Sequence, residues 1–121
     1  MPNIVIIGSG PAGVSAALYA VRAGVDTTIL TKGPGALDRA EKIENYYGFA
    51  QPISGAELER RSMENARRLG VQFVTAEAVG LTYTDRLTVE TMGKDYPADA
   101  VILATGASRA VPRIPGLAGL E

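Results

Sequence analysis

Cysteine, histidine and tryptophan are all absent from this sequence of 121 residues. Without a thiol the chain holds no disulfide, no redox dithiol and no thiolate metal site. Without an imidazole it lacks the commonest general base and metal ligand. Chemistry here therefore belongs to a bound cofactor or to residues on another segment, and neither catalytic nor metal-ligating residues are expected within this chain. A basic excess is missing too. Lys and Arg number 12 against 13 Asp and Glu, for a net charge of −1, which gives nucleic acid or anionic lipid nothing to bind. No apolar run reaches the about eighteen residues of a membrane helix. Met1 to Ile7 has neither a basic leader nor a small-residue cleavage pair, so no secretory signal is expected and the expected location is the cytoplasm.

What remains is the composition of one ordinary soluble domain, with 46% hydrophobic and 21% charged residues. Asn3-Ile4-Val5-Ile6-Ile7 is a short β-branched run that predicts a strand buried on both faces. Gly8 to Gly13 interrupts it. Pro11 stands where a helix can begin, and the Ala-rich stretch to Ala23 carries Val14, Leu18 and Val21 at helical spacing before Gly24. Thr27-Thr28-Ile29-Leu30 predicts a second strand, so strand, turn, helix and strand form one βαβ unit.

Inside that unit Gly8-Ser9-Gly10-Pro11-Ala12-Gly13 matches GxGxxG. Gly8 permits the tight turn, Gly10 lets backbone approach a pyrophosphate, and Gly13 lets helix and strand pack closely. The pyrophosphate then meets the free N–H groups and dipole of the helix N-terminus. The motif follows a predicted strand and opens a predicted helix, the context a dinucleotide fingerprint requires. The carboxylate that usually closes the second strand and holds a ribose hydroxyl is replaced by Thr31, followed by Lys32. Thr31 can offer the ribose one weaker hydrogen bond. Lys32 suits a 2′-phosphate, or is simply a solvated lysine.

Residues 31–52 contain Gly and Pro without periodicity and are expected to form a long functional loop. Ser54-Gly55-Ala56-Glu57 has the capping-box pattern and opens a charged helix to Leu69, with Leu58, Ser62, Ala66 and Leu69 as its inner stripe and Gly70 after it. Strands are expected at 71–76, 78–84 and 87–91, with a short further piece near Tyr96 that completes a meander. Val101-Ile102-Leu103 is a last buried strand ending in Ala104-Thr105-Gly106. The tail from Ser108, with Pro112, Pro115, Gly116 and Gly119, reads as a linker. The fold class is therefore α/β, Rossmann-like, with a mainly parallel sheet, a crossover helix and a β-meander.

Several stretches carry a family resemblance. The run "IVIIGSGPAGVSAALYAVRAG" resembles the N-terminus of thioredoxin reductases and related pyridine nucleotide-disulfide oxidoreductases. "KIENYYGF" is similar to that family's Glu-Asn-aromatic stretch, "VILATGA" to its Ala-Thr-Gly turn, and "IPGL" to the linker before its NADPH domain. The resemblance runs from Asn3 to about Leu117 with the elements in the family's order. It implies that the dinucleotide is FAD, held by Gly8, Ser9, Gly10, Pro11, Ala12 and Gly13, by Thr31, Lys32 and Leu37, by Asn45 beside the flavin, by Ala78 and Val79 near the adenine, and by Ala104, Thr105 and Gly106. Tyr46, Tyr47 and Phe49 are candidates to wall a flavin ring or to pack in the core. Glu44 is a candidate ribityl ligand or a surface carboxylate.

The chain departs from the family after the second strand, where Pro34-Gly35-Ala36-Leu37 replaces Gly-Gly-Gln-Leu and Ala36 lacks the amide. The family's CxxC, second GxGxxG and closing Gly-Asp motif do not occur. By resemblance, residues 1–107 are the first segment of an FAD-binding domain, and 108–121 lead toward an NADPH/disulfide domain outside this chain. The complete protein is then an FAD-dependent oxidoreductase of thioredoxin-disulfide reductase type. It would use NADPH and a thioredoxin-like disulfide protein or small disulfide, and would be homodimeric. Two other readings stand beside it: an NAD(P)-binding module without flavin, and a non-catalytic truncated remnant.

Overall fold

The computed structural model describes residues 2–33 and 35–106, with Ala36 as backbone only. Strand β1 (Asn3–Ile7) leads through the Gly-rich turn into helix α1 (Pro11–Arg22) and strand β2 (Asp26–Thr31). A 3₁₀ turn (Ala36–Arg39) and helix α2 (Gly55–Arg68) precede β3 (Gln72–Thr75). Strands β4 (Ala78–Tyr83), β5 (Leu87–Thr91) and β6 (Asp95–Ala98) form the meander, and β7 (Ala100–Leu103) follows after the single residue Asp99.

Two sheets result. The first is four-stranded in the order β3-β2-β1-β7, and every pairing in it is parallel. The second is antiparallel, in the order β4-β5-β6. Alternation along the parallel strands explains the layering. Ile6 and Ile29 point to one face and meet Val14 and Ala17 of α1, Ala66 of α2, and Val71. Val5 and Leu30 point to the other and meet Val89 and Ala98 of the meander. A strand covered on both faces favours apolar residues, which is why β1 runs β-branched from Ile4 to Ile7. Pro97 sits in β6, an edge strand, where a missing N–H leaves no ladder bond unmade.

The three-stranded meander covers one face of the four-stranded sheet. Strand β6 lies against β1 and β5 against β7, while β4 meets this core through Ala78. Register puts Leu81 on the same face as buried Val89, yet Leu81 is 48% and Tyr83 72% exposed. Among the described residues β7 is hydrogen-bonded to a strand on one side only.

Three sequence expectations need correction. Leu69 is not part of the inner stripe of α2. It is the C-cap, where the chain turns through Gly70 (φ +109°), and it remains 45% exposed. Met63 packs against the core beside Ala66 instead. The capping box is also only half closed. The Ser54 hydroxyl accepts from the Glu57 N–H at 3.1 Å, but the Glu57 carboxylate turns to Arg60 and Arg61. Guanidinium donors hold a carboxylate better than a backbone amide does. The stretch read as an irregular loop also holds more order than expected, in the 3₁₀ turn and an antiparallel bridge between Ile43 and Ile53. The tail assigned as a linker lies outside the described residues.

Candidate cofactor site

The glycines of the turn answer to different constraints. Gly8 has φ +116°, and a Cβ there would lie 2.0 Å from the Ala104 carbonyl oxygen. Gly13 has an ordinary helical place, but a Cβ on it would lie 2.0 Å from the Gly8 carbonyl oxygen. Both are glycine because the protein's own backbone occupies the space. Gly10 is not constrained in this way. Its φ is −72°, and a Cβ there would meet no atom within 4 Å. It is the N-cap of α1, with no side-chain cap and no acidic residue in the first helical turn. The first-turn N–H groups therefore have no side chain answering them, and the helix dipole adds positive potential at the same place.

The expected site segments meet at the carboxyl ends of the parallel strands, where open α/β sheets bind ligands. Gly8 N–H donates to the Leu30 carbonyl at 2.9 Å, and Ala104 N–H to the Ile7 carbonyl at 2.8 Å, tying the ends of β1, β2 and β7 together. Ser9 and Thr31, both buried, share a hydroxyl–hydroxyl bond of 2.6 Å. Thr31, expected to meet the ribose, thus has its hydroxyl joined to the Gly-rich turn. Lys32 is exposed beside it. Ala76 N–H donates to the Thr31 carbonyl at 3.0 Å, which brings the start of β4 to this end. Ala78 packs inward there, and Val79 is 58% exposed. Thr105 and Gly106 are exposed beyond β7, and Gly106 has φ +75°.

Next to Gly10 and Pro11 a cavity of about 580 Å³ opens between α1, α2, the 3₁₀ turn and the loop that follows it. Its wall is mainly apolar, with Val14, Leu18, Leu37, Ile43 and Leu58, and it includes Tyr46 and Phe49. Those two rings lie 5.5 Å apart at 53°. Tyr47 is fully exposed and takes no part. Asn45 is exposed and immediately precedes the wall residue Tyr46. Glu44 is on the surface, 3.2 Å from Lys42.

Sequence reasoning missed the charged side of this cavity. Glu59 and Arg61 of α2 line it, and neither belongs to the inner stripe expected from the sequence. Arg61 lies 5.8 Å over the Phe49 ring and donates to Glu57 at 3.0 Å. Hydrogen bonds from Arg60 and Arg61 lower the Glu57 carboxyl from 4.5 to about 2. Glu59 moves the other way, raised by burial and by the charge of Asp38, with a backbone bond from Gly35 opposing. The spacing from the buried Gly55, four residues earlier, was the only signal that Glu59 faces inward.

Known proteins resemble this chain in sequence and fold. Over 118 residues the chain is 42% identical to the bifunctional thioredoxin reductase/thioredoxin of Mycobacterium leprae (strain TN), covering 94% of this chain and 26% of that protein. It is 36% identical over 118 residues to the thioredoxin reductase of Aquifex aeolicus (strain VF5), covering 94% of this chain and 36% of that protein. The crystal structure of Lactococcus lactis thioredoxin reductase matches with a TM-score of 0.85 at 35% identity, over 96% of this chain and 39% of the other. The chain thus spans about a third of the length of the curated relatives it matches. Residues 2–121 match the family model of the pyridine nucleotide-disulphide oxidoreductases, and the chain belongs to that family.

Proposed function

We propose that this chain is the FAD-holding first segment of a thioredoxin-reductase-like flavoprotein oxidoreductase. One observation carries the reading: Gly10 stands open at an uncapped helix N-terminus, between two glycines that the backbone itself requires. A site with two glycines enforced by packing and a third left bare is what a bound pyrophosphate needs. The residues present fit the cofactor. The turn Gly8–Gly13 takes the pyrophosphate. The ends of β2 and β4, with Thr31, Lys32, Ala78 and Val79, take the adenosine end. Leu37, Asn45 and the Tyr46–Phe49 pair flank the flavin end, and Ala104, Thr105 and Gly106 supply backbone beside it.

When bound, FAD supplies two-electron chemistry between a reduced nicotinamide and a disulfide. The chain's own part is to bind and orient. NADPH, a thioredoxin-like disulfide protein or small disulfide as acceptor, and a homodimer belong to the complete protein in this reading. Residues 1–107 are then the first segment of its FAD domain, and 108–121, outside the described residues, lead onward.

The test is a titration of the 121-residue chain with FAD, read from flavin absorbance and fluorescence, with Gly10→Val in parallel. Saturable FAD binding that Gly10→Val abolishes supports the reading. Binding of NADPH but not FAD turns the assignment to a flavin-free dinucleotide module. Binding of neither points to a remnant.

A further inference from the structure

The 3₁₀ turn carrying Leu37 rests on one face of α2. Gly55 N–H donates to the Ala40 carbonyl at 2.7 Å, and a Cβ on Gly55 would lie 1.6 Å from the Leu37 carbonyl oxygen. One helical turn later, on the same face, stands Glu59. It receives the Gly35 N–H, and it lines the cavity with Leu37. Among the described residues its Oε2 is buried without a hydrogen-bond partner. We propose that Glu59 is a positioning residue whose carboxyl group seats residues 35–39 on α2, and Leu37 with them on the cavity wall, as a latch closed by a proton.

The physical reason is the unmatched oxygen. An ionised carboxylate buried with one oxygen unanswered pays a desolvation penalty that opening of the turn would relieve. The protonated group keeps its acceptor for Gly35 and loses most of that penalty. The surrounding groups add to the effect. Asp38 in the 3₁₀ turn is a like charge. Arg61 lines the same cavity, but its guanidinium is engaged with Glu57 and Phe49. Tyr46 faces in from the loop, and α1 contributes only the uncharged Pro11, Val14, Ser15 and Leu18. Burial, then Asp38, raise the Glu59 pKa from its ordinary 4.5. A raised value in the closed form means that closure is favoured fully below 4.5 and loses that support as pH rises through the closed-state value. Each unit of separation shifts the closed-to-open ratio about tenfold.

The latch is a property of the chain itself, whereas its bearing on flavin affinity rests on the function proposed above. Amide hydrogen exchange of Asp38 and Ala40, whose N–H groups bond within the turn, is to be followed between pH 4.5 and 7.5 in the full chain and in Glu59→Gln. After correction for intrinsic exchange, protection should fall as pH rises in the unmutated chain, by up to about tenfold per unit of separation, and should be flat in Glu59→Gln. Equal slopes in the two proteins overturn the proposal. Should Glu59→Gln fail to fold, carbon-13 titration of the Glu59 carboxyl in the unmutated chain decides. Titration above the ordinary value, with the Gly35 amide shift following it, supports the latch, and an ordinary titration overturns it. Repeating the exchange with FAD present separates the two ideas. A pH-dependent turn in a chain that binds no FAD leaves the latch standing and removes the flavin assignment.

Discussion

A Cβ placed on Gly13 would stand 2.0 Å from the carbonyl oxygen of Gly8, whereas one placed on Gly10 would touch nothing. Substitutions at these positions should therefore fail in different ways. Gly13→Ala forces α1 away from the turn, and overpacking of this kind costs roughly 1–3 kcal/mol. Gly10→Val should leave the fold intact and abolish dinucleotide binding. Denaturation midpoints, far-UV circular dichroism and cofactor retention, measured together, distinguish the two. Undiminished binding by Gly10→Val would put the cofactor elsewhere.

The buried Ser9–Thr31 pair gives a stability prediction. Thr31→Val strands the Ser9 hydroxyl, and an unsatisfied buried donor or acceptor costs about 1–3 kcal/mol. Adding Ser9→Ala removes the stranded group, so the double variant should lose less than the sum of the single losses. Urea titration of all four proteins completes the cycle, and strict additivity would mean that the 2.6 Å bond contributes nothing.

Acid should loosen the start of α2. The Glu57 carboxyl is lowered to about 2 from 4.5, first by its Arg60 bond and then by Arg61. A depressed value means stability that is present above 4.5 and lost as pH falls toward 2. The group is exposed, so the effect is small and weakened by salt. Glu57→Gln should flatten this part of the pH–stability curve. An unchanged curve would show that the arginine contacts do not persist in solution.

Gly55→Ala should displace the 3₁₀ turn, because its Cβ would fall 1.6 Å from the Leu37 carbonyl oxygen. Faster amide exchange at Ala40 and a loss of roughly 1–3 kcal/mol are expected. Wild-type exchange in the variant would contradict the packing of the turn on α2.

FAD should bind this chain far more weakly than it binds a full-length thioredoxin reductase. If about 150 Å² of flavin stays in water, the loss is roughly 4 kcal/mol at about 25 cal/mol per Å², close to a thousandfold in affinity. ADP should then bind nearly as well as FAD. Titrating both ligands against both proteins checks it, and equal FAD affinity for the two would mean that these residues form a complete site.

The parallel sheet was legible because β1, at its centre, reads as an apolar run from Ile4 to Ile7, and because Gly8 to Gly13 falls between that strand and an Ala-rich helix. The 3₁₀ turn was not legible. Only four residues long, it is held by contacts with α2, above all at Gly55, and no local periodicity encodes a contact between Leu37 and Gly55. Glu59 was hidden for a related reason. In a helix rich in charge a carboxylate looks like solvated surface, and only the turn laid over it makes it inward-facing. Leu69 misled in the opposite sense, since its spacing continued the inner stripe but the helix had ended at Arg68.

The apolar side chains that β4 leaves exposed, with the edge of β7, make concentration a variable for this molecule. Among the described residues one edge of β7 pairs with no strand, and such an edge is a template for any extended apolar segment that arrives. Strand β7 itself reads Ala-Val-Ile-Leu, four residues without a charge or a proline, so the edge of a second copy is an acceptable guest. Self-association should therefore rise with concentration, and light scattering that stays monomeric across a dilution series would show that this edge is covered.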